Sequence, residues 1–175
     1  SGWHNIPKKG YSLLPSIFAV YSEKEKELLD NQFKDSPIES IIFGNRSHIY
    51  WLKNRKQDRN VLEAKGHYIL YTLQNQLPDL EHFIWKAIPL LKEKKIEVLF
   101  RLHPAYPDLK DDLTKTMLAI GIESFLIDQN EDVYDSLDSG FMHITQFSSS
   151  TLDALLLNVP SILIDPRGKE YFSEL

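Results

Sequence analysis

The sequence predicts an α/β fold, a parallel sheet flanked by helices. Three observations carry that expectation. From residue 67 onward, short β-rich apolar runs alternate with helical patterns, giving β-α-β-α-β-α-β-α-β. The connections are short, as in sheets covered by helices on both faces. The 175 residues, 42% hydrophobic and 26% charged, suffice for one domain with a real core and a flanking piece.

The elements follow in order. Residues 1–15 are irregular, broken by Pro7, Gly10 and Pro15. Ser1-Gly2 fits a cloning remnant ahead of a piece cut from a longer protein. Ser16 to Tyr21 is a short strand, and Ser22 caps a helix beginning Glu23-Lys24-Glu25, with Glu25 at the capping-box position. Ser36-Pro37 ends it, and Ile41-Ile42-Phe43 is a second strand stopping at Gly44. Residues 46–66 are basic and weakly patterned, a short helix and linker. Residues 1–66 therefore read as a flanking segment from a preceding domain, and 67–175 as the main domain.

Within that domain, strands are expected at His67–Leu73, Ile96–Leu102, Ser124–Ile127, Phe141–Ile144 and Ser161–Ile164. Helices are expected at Pro78–Lys94, kinked at Pro89, and at Leu109–Ala119, ended by Gly121. Two more are expected at Glu131–Leu137 and Thr151–Leu157, the latter carrying Leu152, Leu155 and Leu156 at helical spacing. Something begins at Tyr171.

Parallel strands bring all their carboxyl ends to one edge, where open α/β sheets bind ligands. That edge collects Thr72, Gln74, Asn75 and Gln76; Arg101, His103 and Pro104; Asp128, Gln129 and Asn130; Thr145 to Thr151; and Asp165 to Arg167. These hydroxyls, amides and single charges suit a polar small molecule. Pro104 holds His103 out of the helical region, and period 2 places Arg101 and His103 on one face if the strand runs that far. An imidazole there can donate to a phosphate oxygen or exchange a proton near neutral pH. His67, His82 and His143 read as structural.

Ser148-Ser149-Ser150-Thr151 places four hydroxyls where a helix begins. Unpartnered N–H groups at such a point suit an anion, above all phosphate. A capping box, with Ser150 as cap and Asp153 reaching back, explains the same residues.

Several classes are excluded or disfavoured. A net charge of −5 argues against recruitment of nucleic acid by general electrostatics. No cysteine is present, so disulfides and thiolate metal sites are out, and no His or carboxylate pair has metal-motif spacing. No apolar run is long enough to span a bilayer. There is no Walker loop, no G-x-G-x-x-G and no G-x-S-x-G. Phosphate binding would have to use helix ends and side chains.

Arg101-Leu102-His103-Pro104, Ser148-Ser149-Ser150-Thr151, Asp153 and Asn158-Val159-Pro160 through Asp165 together resemble a known pattern. It is the Rossmann-like, nucleotide-binding C-terminal half of GT-B glycosyltransferases of bacterial surface polysaccharides. The similar groups are the polysialyltransferase-like and CDP-glycerol glycerophosphotransferase-like enzymes, which share a His-Pro and a serine motif. Residues 16–45 resemble the segment leading out of their N-terminal domain.

The resemblance implies a metal-independent site for a nucleotide-activated sugar or glycerol donor, linked to CMP, CDP or UDP, with no further cofactor. It assigns phosphate to His103, Ser148, Ser149, Ser150 and Thr151, with Arg101 in support. Thr72, Asp128, Asn130 and Asp153 are further donor contacts, Asp153 alternatively serving only as the cap. It also implies a catalytic base and an acceptor site on an N-terminal domain, no transfer without that domain, and a cytoplasmic location, peripheral at the inner face of the membrane. Two other readings stand beside it. One is a UDP-sugar 2-epimerase-like isomerase, which would carry more acidic residues and a glycine-rich turn in place of the serines. The other is a non-catalytic flavodoxin-like ligand-binding module.

Overall fold

A computed structural model describes residues 15–54 and 68–172 of the protein. The chain divides after Arg55 into two compact units.

The first unit holds β1 (Ile17–Val20), α1 (Glu23–Gln32), β2 (Glu39–Ile42) and α2 (Arg46–Asn54). β1 and β2 pair in parallel. Helix α1 starts as expected: Ser22 Oγ accepts from the Glu25 N–H at 3.2 Å, and the Glu25 carboxylate accepts from the Tyr21 N–H at 2.7 Å. Val20, Leu29 and Phe33 form a small buried cluster, with Phe18 stacked on Phe33.

The second unit is a five-stranded parallel sheet, ordered β5-β4-β3-β6-β7. Its strands are β3 (Tyr68–Thr72), β4 (Glu97–Arg101), β5 (Leu126–Ile127), β6 (Met142–Thr145) and β7 (Ser161–Leu163). The helices are α3 (Phe83–Glu93), α4 (Leu109–Ala119), α5 (Val133–Ser139), α6 (Ser150–Leu156) and α7 (Pro166–Phe172). This is the expected α/β, Rossmann-like architecture. The predicted strand start at His67 lies outside the described residues.

Two apolar clusters sandwich the sheet. On one face Ile69, Tyr71, Phe100 and Ile144 pack with Ile84, Trp85 and Ile88 of α3 and Leu113 and Met117 of α4. On the other, Leu70 packs with Leu137 of α5 and Ala154 of α6. Alternation along β3 divides Ile69 and Tyr71 from Leu70.

Element ends show local chemistry at work. Helix α4 runs over the expected residues, and Gly121 at φ +78° follows it in the left-handed region that glycine enters without steric cost. Helix α3 starts five residues later than expected, because His82 is its cap: Nδ1 accepts from the Ile84 N–H at 3.3 Å. The opposite ring nitrogen of His82 meets the Ile164 carbonyl at 3.2 Å, tying α3 to the end of β7. Helix α5 is displaced by two residues because Asp132 caps it, accepting from the Tyr134 N–H at 3.0 Å. Strand β5 is shorter than expected, with only Leu126 and Ile127 paired to β4.

Helix α7 begins at Pro166, ahead of the element expected from Tyr171. Its signal was local: the Asp165 carboxylate accepts from the Arg167 N–H at 2.8 Å, and proline suits the first helical position. Among the described residues, no helix is long and apolar enough to cross a membrane.

Candidate functional site

The strand order puts a topological switch point between β3 and β6. The chain moves outward from β3 through β4 to β5, then returns to β3's other side with β6 and β7. Ligand crevices of open α/β sheets form outside the strand carboxyl ends at such a point. The segment Gln146 to Ser149 leaves β6 there, and Leu73 to Asn75 leaves β3 beside it. His103 follows β4, one strand over.

His103 is exposed and oriented by its own loop. Its Nδ1 accepts from the Ala105 N–H at 3.1 Å, and its ring lies 5.2 Å from that of Tyr106. An imidazole accepting at Nδ1 carries its proton on Nε2 when neutral, leaving that N–H for a ligand. Strand β4 ends at Arg101, so the expected shared face of Arg101 and His103 does not form.

Arg101 turns to the next loop instead. Its guanidinium pairs with Asp128 at 2.5 Å and donates to the carbonyls of Asn130 and Glu131, both at 2.9 Å. The Asp128 side chain is 1% exposed and also accepts from Ser136 Oγ at 2.5 Å and from the Asn130 N–H at 3.0 Å. The Asn130 side-chain amide donates to Ser136 Oγ at 3.0 Å. Arg101, Asp128 and Asn130 therefore form a knot that shapes the β5–α5 loop.

The serine segment divides in two. Ser149 is exposed and Ser148 half-buried, and Ser148 Oγ accepts from the Ser150 N–H at 3.2 Å. Ser150 and Thr151 are buried. The capping box is not formed. Ser149 occupies the cap position without a side-chain bond, Ser150 is the first helical residue, and Asp153 accepts from Tyr134 Oη at 2.8 Å rather than reaching back. Helix α6 has only seven residues, so local hydroxyls and amides matter more here than a long helix dipole.

Leu152, Leu155 and Leu156 are exposed, while Ser150, Thr151 and Ala154 face inward. The inward face is polar because it meets a buried histidine. His143 is fully buried in β6. Its Nε2 lies 2.9 Å from Thr72 Oγ1 and 3.3 Å from Ser150 Oγ, and its Nδ1 lies 2.9 Å from Ser161 Oγ. Thr72 and Ser150 also bond each other at 3.0 Å. One ring thus links β3, β6, β7 and α6 immediately behind Ser148 and Ser149. Burial lowers the His143 pKa to about 4, so the ring is neutral at physiological pH. The structural reading of His143 holds. Its partners Thr72 and Ser150 were not predicted to meet it, since their pairing spans 71 and 7 positions of sequence.

At the far side of the serine segment, Arg167 of α7 stands over Phe147, with its guanidinium carbon 4.0 Å from the ring centroid. Asp165 accepts from Arg167 Nε at 2.9 Å and from Nη2 at 2.8 Å. That bidentate pair holds the Asp165 carboxyl below its ordinary range. Two buried atoms nearby in sequence, Gln146 Oε1 and Thr151 Oγ1, have no hydrogen-bond partner among the described residues. Among the described residues, no three His, Asp or Glu side chains gather where they could hold a metal ion.

No protein-family model and no curated protein matches the chain. Among solved structures, the protein is similar to S. aureus MnaA in a co-structure with UDP. The TM-score is 0.51 at 16% identity, over 78% of this chain and 39% of that one. The chain thus spans well under half the length of that protein, and the likeness is one of fold.

Proposed function

We propose that this chain is the donor-nucleotide-binding part of a bacterial surface-polysaccharide glycosyltransferase or glycerophosphotransferase. The observation that carries the reading is the switch-point edge. His103 presents Nε2–H there, and Ser148 and Ser149 offer open hydroxyls from the neighbouring loop. A phosphate at that edge receives an imidazole N–H, two hydroxyls and nearby backbone amides without a metal. Ser150 and Thr151, behind the segment, and Arg101, in the adjoining knot, support its shape. The similarity in fold to a protein seen with UDP supports a nucleotide as the ligand.

In this reading residues 1–66 are the last elements of a preceding, acceptor-binding domain. The β1–β2 pair supports it: among the described residues this sheet has two strands, too few to stand alone, and Ile17, Ile41 and Phe43 are exposed. In this reading the catalytic base stands on that domain. The parent enzyme works in the cytoplasm, at the inner face of the membrane.

Titration calorimetry with CMP, CDP and UDP tests the proposal. Binding is expected to weaken at least about tenfold in His103→Ala, and less in Ser149→Ala, in line with the loss of a charge-assisted and a neutral hydrogen bond. Wild-type protein indifferent to all three nucleotides would leave a non-catalytic module as the better description.

A further inference from the structure

Between Asp153 and Asp165 the chain runs eleven residues without a charge, Ala154 to Ile164. That stretch holds the second half of α6 and the whole of β7, and β7 is an edge of the five-stranded sheet. Among the described residues no further strand pairs with it. Its surface is apolar as well as uncharged: Leu155 is 55% exposed and Ile162 43%. Beside the strand, Leu155, Val159, Pro160, Leu163 and Phe172 line an open groove of about 220 Å³. Lysine or another charge commonly blunts such an edge, because open backbone groups pair with any strand that arrives. Ser161-Ile162-Leu163 carries none.

The pairing of β7 with β6 fixes which backbone groups stay open. The Pro160 carbonyl accepts from the His143 N–H at 2.9 Å, and the Ile164 N–H donates to the Thr145 carbonyl at 2.9 Å. Pro160 and Ile164, and by alternation Ile162, therefore turn their backbone groups towards β6. Ser161 and Leu163 turn theirs away from the sheet. That pattern fits an antiparallel copy of itself. With a twofold axis through Ile162, Ser161 stands opposite the copy's Leu163 and exchanges both bonds with it, and the reciprocal pair does the same. Every outward N–H and C=O of the strand then has a partner. Ile162 faces the copy's Ile162 in a non-hydrogen-bonded pair, the arrangement in which side chains come closest. Pro160 falls opposite the copy's Ile164, where the new ladder needs no N–H from it, so the proline is tolerated.

We propose that β7 is a homodimer interface, at which two copies of this chain join their sheets antiparallel about Ile162 into one continuous sheet. The axis stands perpendicular to the sheet, so like faces adjoin. Ser161 and Leu163 point to the side of the groove and Ile162 to the other. The two grooves therefore meet on one side of the joint and the two isoleucines on the other. A copy of the chain suits this edge better than an unlike partner. With no charge from Ala154 to Ile164, the surface offers such a partner nothing to steer or select it, whereas the twofold match needs only the strand itself. A lipid surface would accept the leucines and leave the backbone groups of Ser161 and Leu163 unpaired. The twofold contact also closes on itself and leaves no free edge to propagate.

Sedimentation velocity across micromolar concentrations tests the proposal, with urea midpoints to check that each variant is folded. Wild type is expected to pass from monomer to dimer as concentration rises. Ile162→Lys should stay monomeric throughout, because two ammonium groups would stand directly opposite each other. Ile162 is already exposed, so the change costs the fold little. Ile162→Cys reports the register. The chain has no cysteine, and a non-hydrogen-bonded pair sets its Cα atoms about 4.5 Å apart, within disulfide range. With oxidised glutathione that variant should form a covalent dimer, while Leu126→Cys, at an exposed position on the opposite edge strand, should not. Wild type that remains monomeric overturns the inference. A dimer that survives Ile162→Lys, or that Ile162→Cys fails to lock, lies elsewhere on the molecule and overturns it too. Open-ended polymers abolished by Leu126→Lys would mean that β7 pairs with β5 of the next copy, and the twofold joint would fall.

Discussion

Asp128→Ala is expected to destabilise the protein by about 3–5 kcal/mol, the usual cost of stripping one partner from a buried ion pair. The side chains of Asp128 and Arg101 are 1% and 17% exposed, so water cannot readily replace the lost carboxylate. Ser136 Oγ and the Asn130 N–H lose their acceptor in the same step. The carbonyls of Asn130 and Glu131 still receive Arg101, but they carry only partial charge. Thermal unfolding should fall by about 10 °C. Asp128→Asn should cost less, since the amide oxygen still accepts. The double variant Arg101→Met with Asp128→Ala should recover much of the loss, because no charge is then left buried alone. A urea midpoint for Asp128→Ala close to that of wild type would show that Arg101 escapes to solvent, and the loop knot would lose its assigned role.

A pH effect of comparable size is expected at His143. Its folded-state pKa of about 4 lies below the unfolded value of 6.5. Between those values the unfolded chain binds the proton and the folded one does not. Stability therefore rises with pH across that window. The contribution is complete above about pH 6.5 and is lost progressively as pH falls towards 4, amounting to about 3 kcal/mol. The cause is burial: hydroxyls of Thr72, Ser150 and Ser161 surround the ring, and none of them offers a counter-charge. Urea titrations at pH 7.5, 6, 5 and 4.5 measure the slope. Carboxylates titrate in the same range, so the informative quantity is the difference from His143→Gln, whose side chain can bond hydroxyls and has no proton to gain. A slope unchanged by that substitution would mean that the ring is solvated at low pH. Because Ser150 adjoins the serine segment, nucleotide affinity should weaken along with stability in the wild type.

How much of this was legible in the sequence differs element by element. The Ser22 cap, the whole of α4 and the end at Gly121 were readable because each depends on residues within one helical turn. The alternation of strand and helix announced the parallel sheet, because apolar periodicity and connection length are local too. The edge carrying His103 and the serines followed from that pattern, since parallel strands must end together. The start of α7 is also encoded locally, by Asp165-Pro166.

Tertiary structure decided the rest. Sequence alone did not order the strands, so the β3–β6 switch point came from pairing across the sheet. That Arg101 pairs with a carboxylate 27 residues away was likewise decided by the fold. Periodicity counts apolar residues, and in α6 it rests on Leu152, Leu155 and Leu156. It cannot register that the surface awaiting the helix holds a histidine needing hydroxyls, which turned Ser150 inward and the leucines out. The sequence by itself determined which elements form and which residues reach the strand-end edge. The fold determined which of those residues keep their polar atoms open, because a polar group near a strand end is first claimed by whatever buried partner the packed chain brings within reach.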